Sequence, residues 1–386
     1  MDEDTNRNTK SRDRADEFIK DLAKMISDSL PGVNVFVVDS ALVDKLCEVL
    51  TKDPTIRGKF ADQELYAEVS EFMRDNYVKT FRSENELRER SDAFCNGLVE
   101  EKQYEAVLLL DGLPDLPIGL RIGLMEIVIP DDKTSEVLNY LHSINEKIEI
   151  YPQNCSWAKV QFTSFRTVGI QDILYRILEL PFGVLSLMMM RDLDVRNASG
   201  LIFHGARRYE VSPSQHLGAG WSRYRDEYHG KYLRLLSQIS QKQPSKLEKK
   251  ILQGIQVFWL SRLSYKTELR FIMLVSAFES LLLTKDDRDY LGKKLAEKTA
   301  FLLGESYDDR IKTYRMMKDY YGKRSDLVHG RDVELTDTDE LTLEGFFRGV
   351  TLKLLELSCD YDRMEQKSAE NEREGVEDYI NRLKFA

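Results

Sequence analysis

The stretch ELRFIMLVSAFESLLL, residues 268–283, decides the fold of the C-terminal part of the chain. Its large apolar residues recur every three or four positions, which is the repeat of a helix that buries one side. Four similar patterns surround it, in residues 247–259, 291–302, 308–329 and 343–357. Because the connections between these patterns are short, we predict an all-α bundle of five helices.

The residues before the bundle mix two kinds of pattern. Strand-like runs occupy VNVFVVD (33–39), EAVLLLDGL (105–113), LRIGLMEIVIP (120–130), EKIEIYP (146–152) and AKVQFTSFRTV (158–168). Helical patterns occupy residues 15–30, 40–50, 62–81, 84–101, 133–144 and 170–190. The alternation is too irregular for a doubly wound sheet. We therefore predict an α+β chain, with a mixed α/β domain over residues 1–235 and a helical bundle over residues 236–386.

Composition bounds the class of protein. A chain of 386 residues with 42% hydrophobic residues can bury a core, which argues against wholesale disorder. Its four cysteines share no CxxC spacing, so neither a zinc finger nor a disulfide scaffold is expected. No apolar stretch is long enough to span a bilayer, and the charged first residues do not form a secretory signal. These features predict a cytoplasmic protein with no membrane partner.

Charge is distributed unevenly along the chain. The whole chain has a net charge of −10 at pH 7, whereas residues 245–386 hold 25 basic and 27 acidic residues. Within that almost neutral part, residues 310–331 gather seven basic residues against two acidic ones. Such a cluster is typical either of a solvated helix face or of a local anion-binding surface. Its basic members are Arg310, Lys312, Arg315, Lys318, Lys323, Arg324 and Arg331.

Standard catalytic motifs are absent from the sequence. It contains no GxxxxGK[ST] phosphate loop, no GxGxxG after a strand, no GxSxG and no HExxH. No carboxylate or Cys/His cluster suggests a metal or another cofactor. Of the five histidines, four lie in contexts that favour surface or structural roles, namely His142, His204, His216 and His229.

The fifth histidine, His329, lies in the motif RSDLVHG, residues 324–330, at the end of the basic cluster. Gly330 suits the position that follows a helix C-terminus. At about 100° per residue, Arg324 and His329 point about 140° apart, so one helix cannot direct both at one atom. Two copies related by a two-fold axis would bring two arginines and two histidines to one cleft.

Three consecutive segments carry a resemblance to a known family. FIMLVSAFESLLL (271–283), LAEKTAFLLG (295–304) and IKTYRMMKDYYGKRSDLVHG (311–330) resemble, in order and context, the Apea-like branch of the HEPN superfamily. The resemblance covers about residues 246–383. It implies a dimeric, metal-independent and cofactor-free endoribonuclease of the kind found in antiviral defence and toxin systems.

The resemblance also implies roles for individual residues. Arg324 and His329 would be catalytic, and Glu279 in AFESLLL would face the motif and orient Arg324; an ordinary ion pair between helices is the alternative for Glu279. Many HEPN motifs have Asn, Asp or His after the arginine, where this chain has Ser325. Ser325 and Asp326 are expected to support the site by capping, by orienting His329 or by contacting RNA.

RNA is the predicted partner of the bundle, beside a second copy of the chain. We expect RNA to contact Lys318, Tyr321, Lys323 and Arg331, although core packing is an alternative for Tyr321. The first domain carries no recognisable motif and is expected to sense a signal, bind a regulatory protein or ligand, or restrain the nuclease. The competing hypothesis is a non-catalytic helical dimer that binds RNA, a nucleotide or a partner protein.

Overall fold

The computed structural model describes residues 40–52, 54–57, 59–77, 84–111, 113, 116–144, 155–189, 193, 198–211, 226–283, 287, 289–364 and 380. These residues form helices and a six-stranded sheet, so the predicted α+β class is confirmed. The helix expected at residues 15–30 and the strands expected at 33–39 and 146–152 lie outside the described residues.

Helices alone make up the described part of the chain before the sheet. Their bounds agree with the predicted helices at 40–50, 62–81 and 84–101 to within a few residues, and one short helix is added. They share a core in which the rings of Phe72 and Phe94 stack with their centroids 4.2 Å apart. The helices are α1 (Ser40–Thr51), α2 (Pro54–Arg57), α3 (Asp62–Tyr77) and α4 (Glu84–Val99).

The sheet has the strand order β2-β3-β4-β1-β5-β6, and β2, β3 and β4 pair antiparallel. Its members are β1 (Lys102–Asp111), β2 (Arg121–Ile122), β3 (Met125–Val128), β4 (Cys155–Ser164), β5 (Ala198–His204) and β6 (Arg207–Val211). Two helices are interleaved with the strands, α5 (Asp132–Ile144) and α6 (Ile170–Met189). Val137 and Leu141 of α5 pack against Trp157 of β4, so one side of this helix closes a core over the sheet.

Among the described residues, five C-terminal helices follow the predicted patterns closely, and a sixth, the first of them in chain order, forms where the sequence patterns predict no helix. They are α7 (Asp226–Gln241), α8 (Lys246–Arg262), α9 (Thr267–Leu282), α10 (Leu291–Leu303), α11 (Tyr307–Val328) and α12 (Asp337–Met364). The Phe347 ring of α12 stacks on Phe258 of α8 at 5.0 Å and meets Phe278 of α9 edge-on at 5.3 Å. All three rings are fully buried, and each belongs to the apolar repeat of its own helix.

The chain divides into two compact units. The first comprises Met1–Glu105, Gln161–Ile173 and His204–Arg207, and the second Ala106–Val160, Leu174–Phe203 and Arg208–Ala386. The second unit therefore holds sheet residues together with the C-terminal helices. Inside it, the Trp259 Nε1 of α8 donates a hydrogen bond to the Leu193 carbonyl at 2.7 Å.

The predicted boundary between residues 235 and 236 falls within α7, and the separate domain role of residues 1–235 stays a prediction. In the described part of the chain no helix has the length and apolar character needed to cross a membrane.

Candidate functional site

The candidate motif lies at the C-terminal end of α11. This helix begins with a capping box in which the Asp309 backbone N–H donates to the Ser306 hydroxyl at 3.2 Å. Its buried residues are Thr313, Met317 and Tyr320, a narrow face. The other sides of the helix are exposed or half-buried. A helix with a largely polar sequence can therefore pack against the rest of the protein through this one face.

Gly330 ends α11 through a Schellman motif. The Arg331 N–H donates to the Asp326 carbonyl at 2.9 Å, and the Gly330 N–H to the Leu327 carbonyl at 3.0 Å. Gly330 has a φ of +71°, in the left-handed region that favours glycine. The turn leaves His329 as the C-cap, directly after the last helical residue Val328, with an exposed side chain.

Arg324 faces inward from α11 and contacts α9. Its Nη2 lies 3.3 Å from the Glu279 Oε2, and the two side chains are 25% and 22% exposed. The Arg324 Nε is buried, and no group of the described residues accepts a hydrogen bond from it. The sequence-predicted pairing of Glu279 with Arg324 is therefore present, and the guanidinium keeps donor capacity for a further acceptor.

Tyr321 completes this contact from the same helix. Burial raises the pKa of its phenol, and the charge and hydrogen bond of Glu279 raise that pKa further, whereas Arg324 opposes the shift. The phenol therefore stays protonated at neutral pH. Its ring lies against Gly292 of α10, where a Cβ atom would come within 2.4 Å of the ring. Tyr321 is packed between helices, which agrees with the alternative that we gave for it.

The other residues predicted to contact RNA lie in different surroundings. The Lys323 Nζ lies 3.0 Å from the Asp339 Oδ2 at the start of α12. Although burial alone would lower the pKa of Lys323, the hydrogen bond and charge of Asp339 raise it. Arg331 forms an ion pair with Asp326 at 2.6 Å, while Lys318 is exposed. Of these three cations, Lys318 alone has no ion-pair partner among the described residues.

Ser325 and Asp326 support the end of the helix through their backbone. Both carbonyls accept from the His329 N–H at 3.1 Å. Asp326 further holds Arg331 through its side chain and its carbonyl, so it fixes the turn that follows His329. Backbone hydrogen bonds therefore fix the end of the motif, and helix geometry separates the directions of Arg324 and His329 by about 140°.

The other histidines whose side chains are described, His142 and His204, have surroundings of their own. The His204 Nδ1–H donates a hydrogen bond to the Gln103 carbonyl at 2.9 Å, and the ring lies against that of Tyr104 at 5.0 Å, a structural arrangement. His142 is exposed on α5, and His216 and the side chain of His229 lie outside the described residues. No group of three or more metal-binding side chains occurs among the residues that the structure describes.

Two features of the site escape the sequence patterns. Gly292 follows the left-handed residue Tyr290 at the start of α10, and nothing local indicates that it makes room for Tyr321. The spacing TDTD indicates a capping box with Thr336 as the N-cap and Asp339 as its partner, but the pairing of Asp339 with Lys323 depends on how α11 and α12 pack. No protein-family model, curated protein or solved structure matches the chain.

Proposed function

We propose that the chain is a metal-independent endoribonuclease of the HEPN type, active as a homodimer through its C-terminal helices. The observation that carries the proposal is the arrangement of RSDLVHG: Arg324 is held by Glu279, and His329 is presented at an exposed, rigid helix end. This arrangement agrees with the roles that the family resemblance implies for these three residues.

The chemistry needs few groups because RNA carries its own nucleophile, the 2′-hydroxyl. A base removes the proton of that hydroxyl, an acid protonates the departing 5′-oxygen, and positive charge stabilises the phosphorane. His329 of one protomer serves as the base and His329 of its partner as the acid. The products carry a 2′,3′-cyclic phosphate, and DNA is not cleaved because it lacks the 2′-hydroxyl.

Arg324 supplies the positive charge in this proposal. Its Nη2 is engaged by Glu279 and its Nε is buried, so a phosphate oxygen would reach the guanidinium through the exposed quarter of the side chain. Glu279 and the Tyr321 phenol act as positioning residues that hold the guanidinium in one orientation. The role of Arg324 in binding the phosphate is supported by the exposure of its side chain, of which 25% is accessible.

In the cell, we propose that this nuclease acts in the cytoplasm as an antiviral-defence or toxin-like effector. Such an enzyme must be restrained until it is needed, and the region before the C-terminal helices is the part of the chain that we assign to sensing or restraint. Its ligand or regulatory protein is not identified by any motif in the sequence.

One observation favours a second candidate, a non-catalytic helical dimer that binds RNA, a nucleotide or a partner protein. Within one copy, Arg324 faces the α9 contact while His329 is exposed about 140° away. A single chain therefore does not assemble the two groups, and the nuclease depends on a second copy that completes the site.

The test is cleavage of RNA in EDTA by wild-type protein and by the variants Arg324→Ala and His329→Ala. We expect the wild type to cleave and each variant to lose about 10²-fold to 10⁴-fold in rate. His142→Ala, an exposed histidine on α5, is the matched control and should cleave normally. Cleavage that survives in both site variants, or RNA binding without any turnover, would favour the second candidate.

A further inference from the structure

The seven basic residues of the 310–331 cluster separate into two groups in the folded chain. Four are engaged: Lys323, Arg324 and Arg331 pair with carboxylates, and the Arg310 Nε donates to the Gly304 carbonyl at 3.2 Å. The other three side chains are exposed, and no carboxylate of the described residues lies within ion-pair distance of them. They are Lys312, Arg315 and Lys318.

Two of these exposed cations share a face of α11 with His329. At about 100° per residue, positions 315, 318, 322, 325 and 329 fall within about 80° of one another. Arg315 and Lys318 thus lie on the open side of the helix, in line with Ser325 and His329. We call this side, defined by Arg315, Lys318, Gly322, Ser325 and His329, the open face of α11.

Acidic residues beside the open face are largely engaged. Asp319 lies 3.7 Å from Lys323, and Asp326 pairs with Arg331. Lys312 is separated from the other two by its position: at about 100° per residue it lies about 60° beyond Arg315, outside the open face.

Between Lys318 and His329 the open face holds only Gly322 and the small side chain of Ser325. Gly322 lies midway, and a Cβ atom built on it would meet nothing within 4 Å. Lys318 and His329 are eleven residues apart, about 16 Å along the helix axis. An extended polyanion can run over this distance in contact with the helix, with cations at one end and a histidine at the other.

We propose that Arg315 and Lys318 bind the phosphate backbone of single-stranded RNA and lead it along the open face of α11 to His329. This inference rests on the proposed nuclease function and adds a substrate class to it. The substrate is a single strand of RNA long enough to contact the two cations and His329 at the same time. A dinucleotide has one phosphate, which is the one cleaved, and so cannot reach the two cations.

The experiment compares the double variant Arg315→Ala/Lys318→Ala with wild type on a long unstructured RNA and on a dinucleotide. We expect the KM for the long RNA to rise on the order of tenfold or more, with little change in kcat and no change for the dinucleotide. The dependence of log Kd on log salt concentration should become shallower by about 1.4, since two contacts to a single strand are removed. All these side chains are exposed, so folding should be unaffected.

The matched control is Lys246→Ala/Lys249→Ala. These residues are also basic, exposed and three positions apart, but they lie on the first turn of α8. The control removes the same charge and should leave the KM and the salt dependence unchanged. Equal weakening by both double variants would mean that net charge matters and the open face does not, and it would overturn the proposal.

Other outcomes separate this inference from the proposed function. If the wild type cleaves RNA and the Arg315/Lys318 variant has an unchanged KM for the long strand, the binding path is wrong and the nuclease stands. If the wild type binds RNA without cleaving it, the Kd and its salt dependence still decide the role of the open face. If the wild type neither binds nor cleaves RNA, both proposals fail; an acidic protein bound through Arg315 and Lys318 would then replace RNA as the occupant.

Discussion

At the scale of single residues, Gly330 decides where His329 lies. Its φ of +71° closes the Schellman turn, and an L-residue there carries a steric penalty. We expect Gly330→Ala to lower the free energy of unfolding by about 1 kcal/mol and to reduce RNA cleavage, because the turn after His329 must shift. Urea unfolding followed by circular dichroism measures the first effect, and the EDTA cleavage assay the second.

Gly322 provides the matched control for this substitution. It lies within α11, where no atom stands within 4 Å of an added Cβ. Alanine favours a helix interior over glycine, so Gly322→Ala should raise the free energy of unfolding by up to about 1 kcal/mol. If Gly330→Ala stabilises the protein as Gly322→Ala does, the left-handed turn is not formed in solution.

At the scale of elements, the Lys323–Asp339 pair ties α11 to the start of α12. Burial would raise the pKa of Asp339, but hydrogen bonds from Lys323 and Thr336 lower it below the ordinary value of 3.8. A lowered carboxyl pKa stabilises the fold above the unfolded-state pKa, and this contribution is lost as the pH falls through the lowered value. The pair therefore strengthens the helix junction at neutral pH and not in strong acid.

We expect Asp339→Asn to reduce the free energy of unfolding by about 1–2 kcal/mol at neutral pH, since both a helix cap and a charged hydrogen bond are weakened. The difference from wild type should shrink below about pH 4. Urea unfolding at several pH values measures it. Asp332→Asn, an exposed position between α11 and α12, removes the same charge and should change little. A loss that is equally large at acid pH would contradict the lowered pKa of Asp339.

Sequence patterns predict the helices well because helical periodicity is local. The apolar repeats around Phe271 and Leu295 therefore place α9 and α10 to within a few residues. The central position of β1, the first strand among the described residues, depends on pairings across the sheet and is not encoded in any one segment. In the same way, Lys318 and Lys323 count equally as positive charges in the sequence. The packing of α12 brings Asp339 to Lys323 and leaves Lys318 exposed.

At the scale of the whole molecule, a net charge of −10 would repel RNA if it were spread evenly. Arg315 and Lys318 place two exposed positive charges on one side of α11, so the attraction to RNA that we propose would be local and would fall with added salt. The same helix directs Arg324 inward and His329 outward, about 140° apart. An active site that uses both groups must therefore be built by two copies, and its activity must depend on each of them.

A heterodimer with one wild-type subunit and one His329→Ala subunit tests this dependence. The two chains are co-expressed with different tags, and the heterodimer is isolated by successive affinity steps. If the acid and the base are the His329 side chains of the two protomers, the heterodimer lacks one of them and should retain less than about a hundredth of wild-type activity. Two independent sites would instead leave about half of the activity. A heterodimer with His142→Ala in place of His329→Ala controls for the tags and should be fully active, whereas half activity in the His329 heterodimer would exclude a composite site.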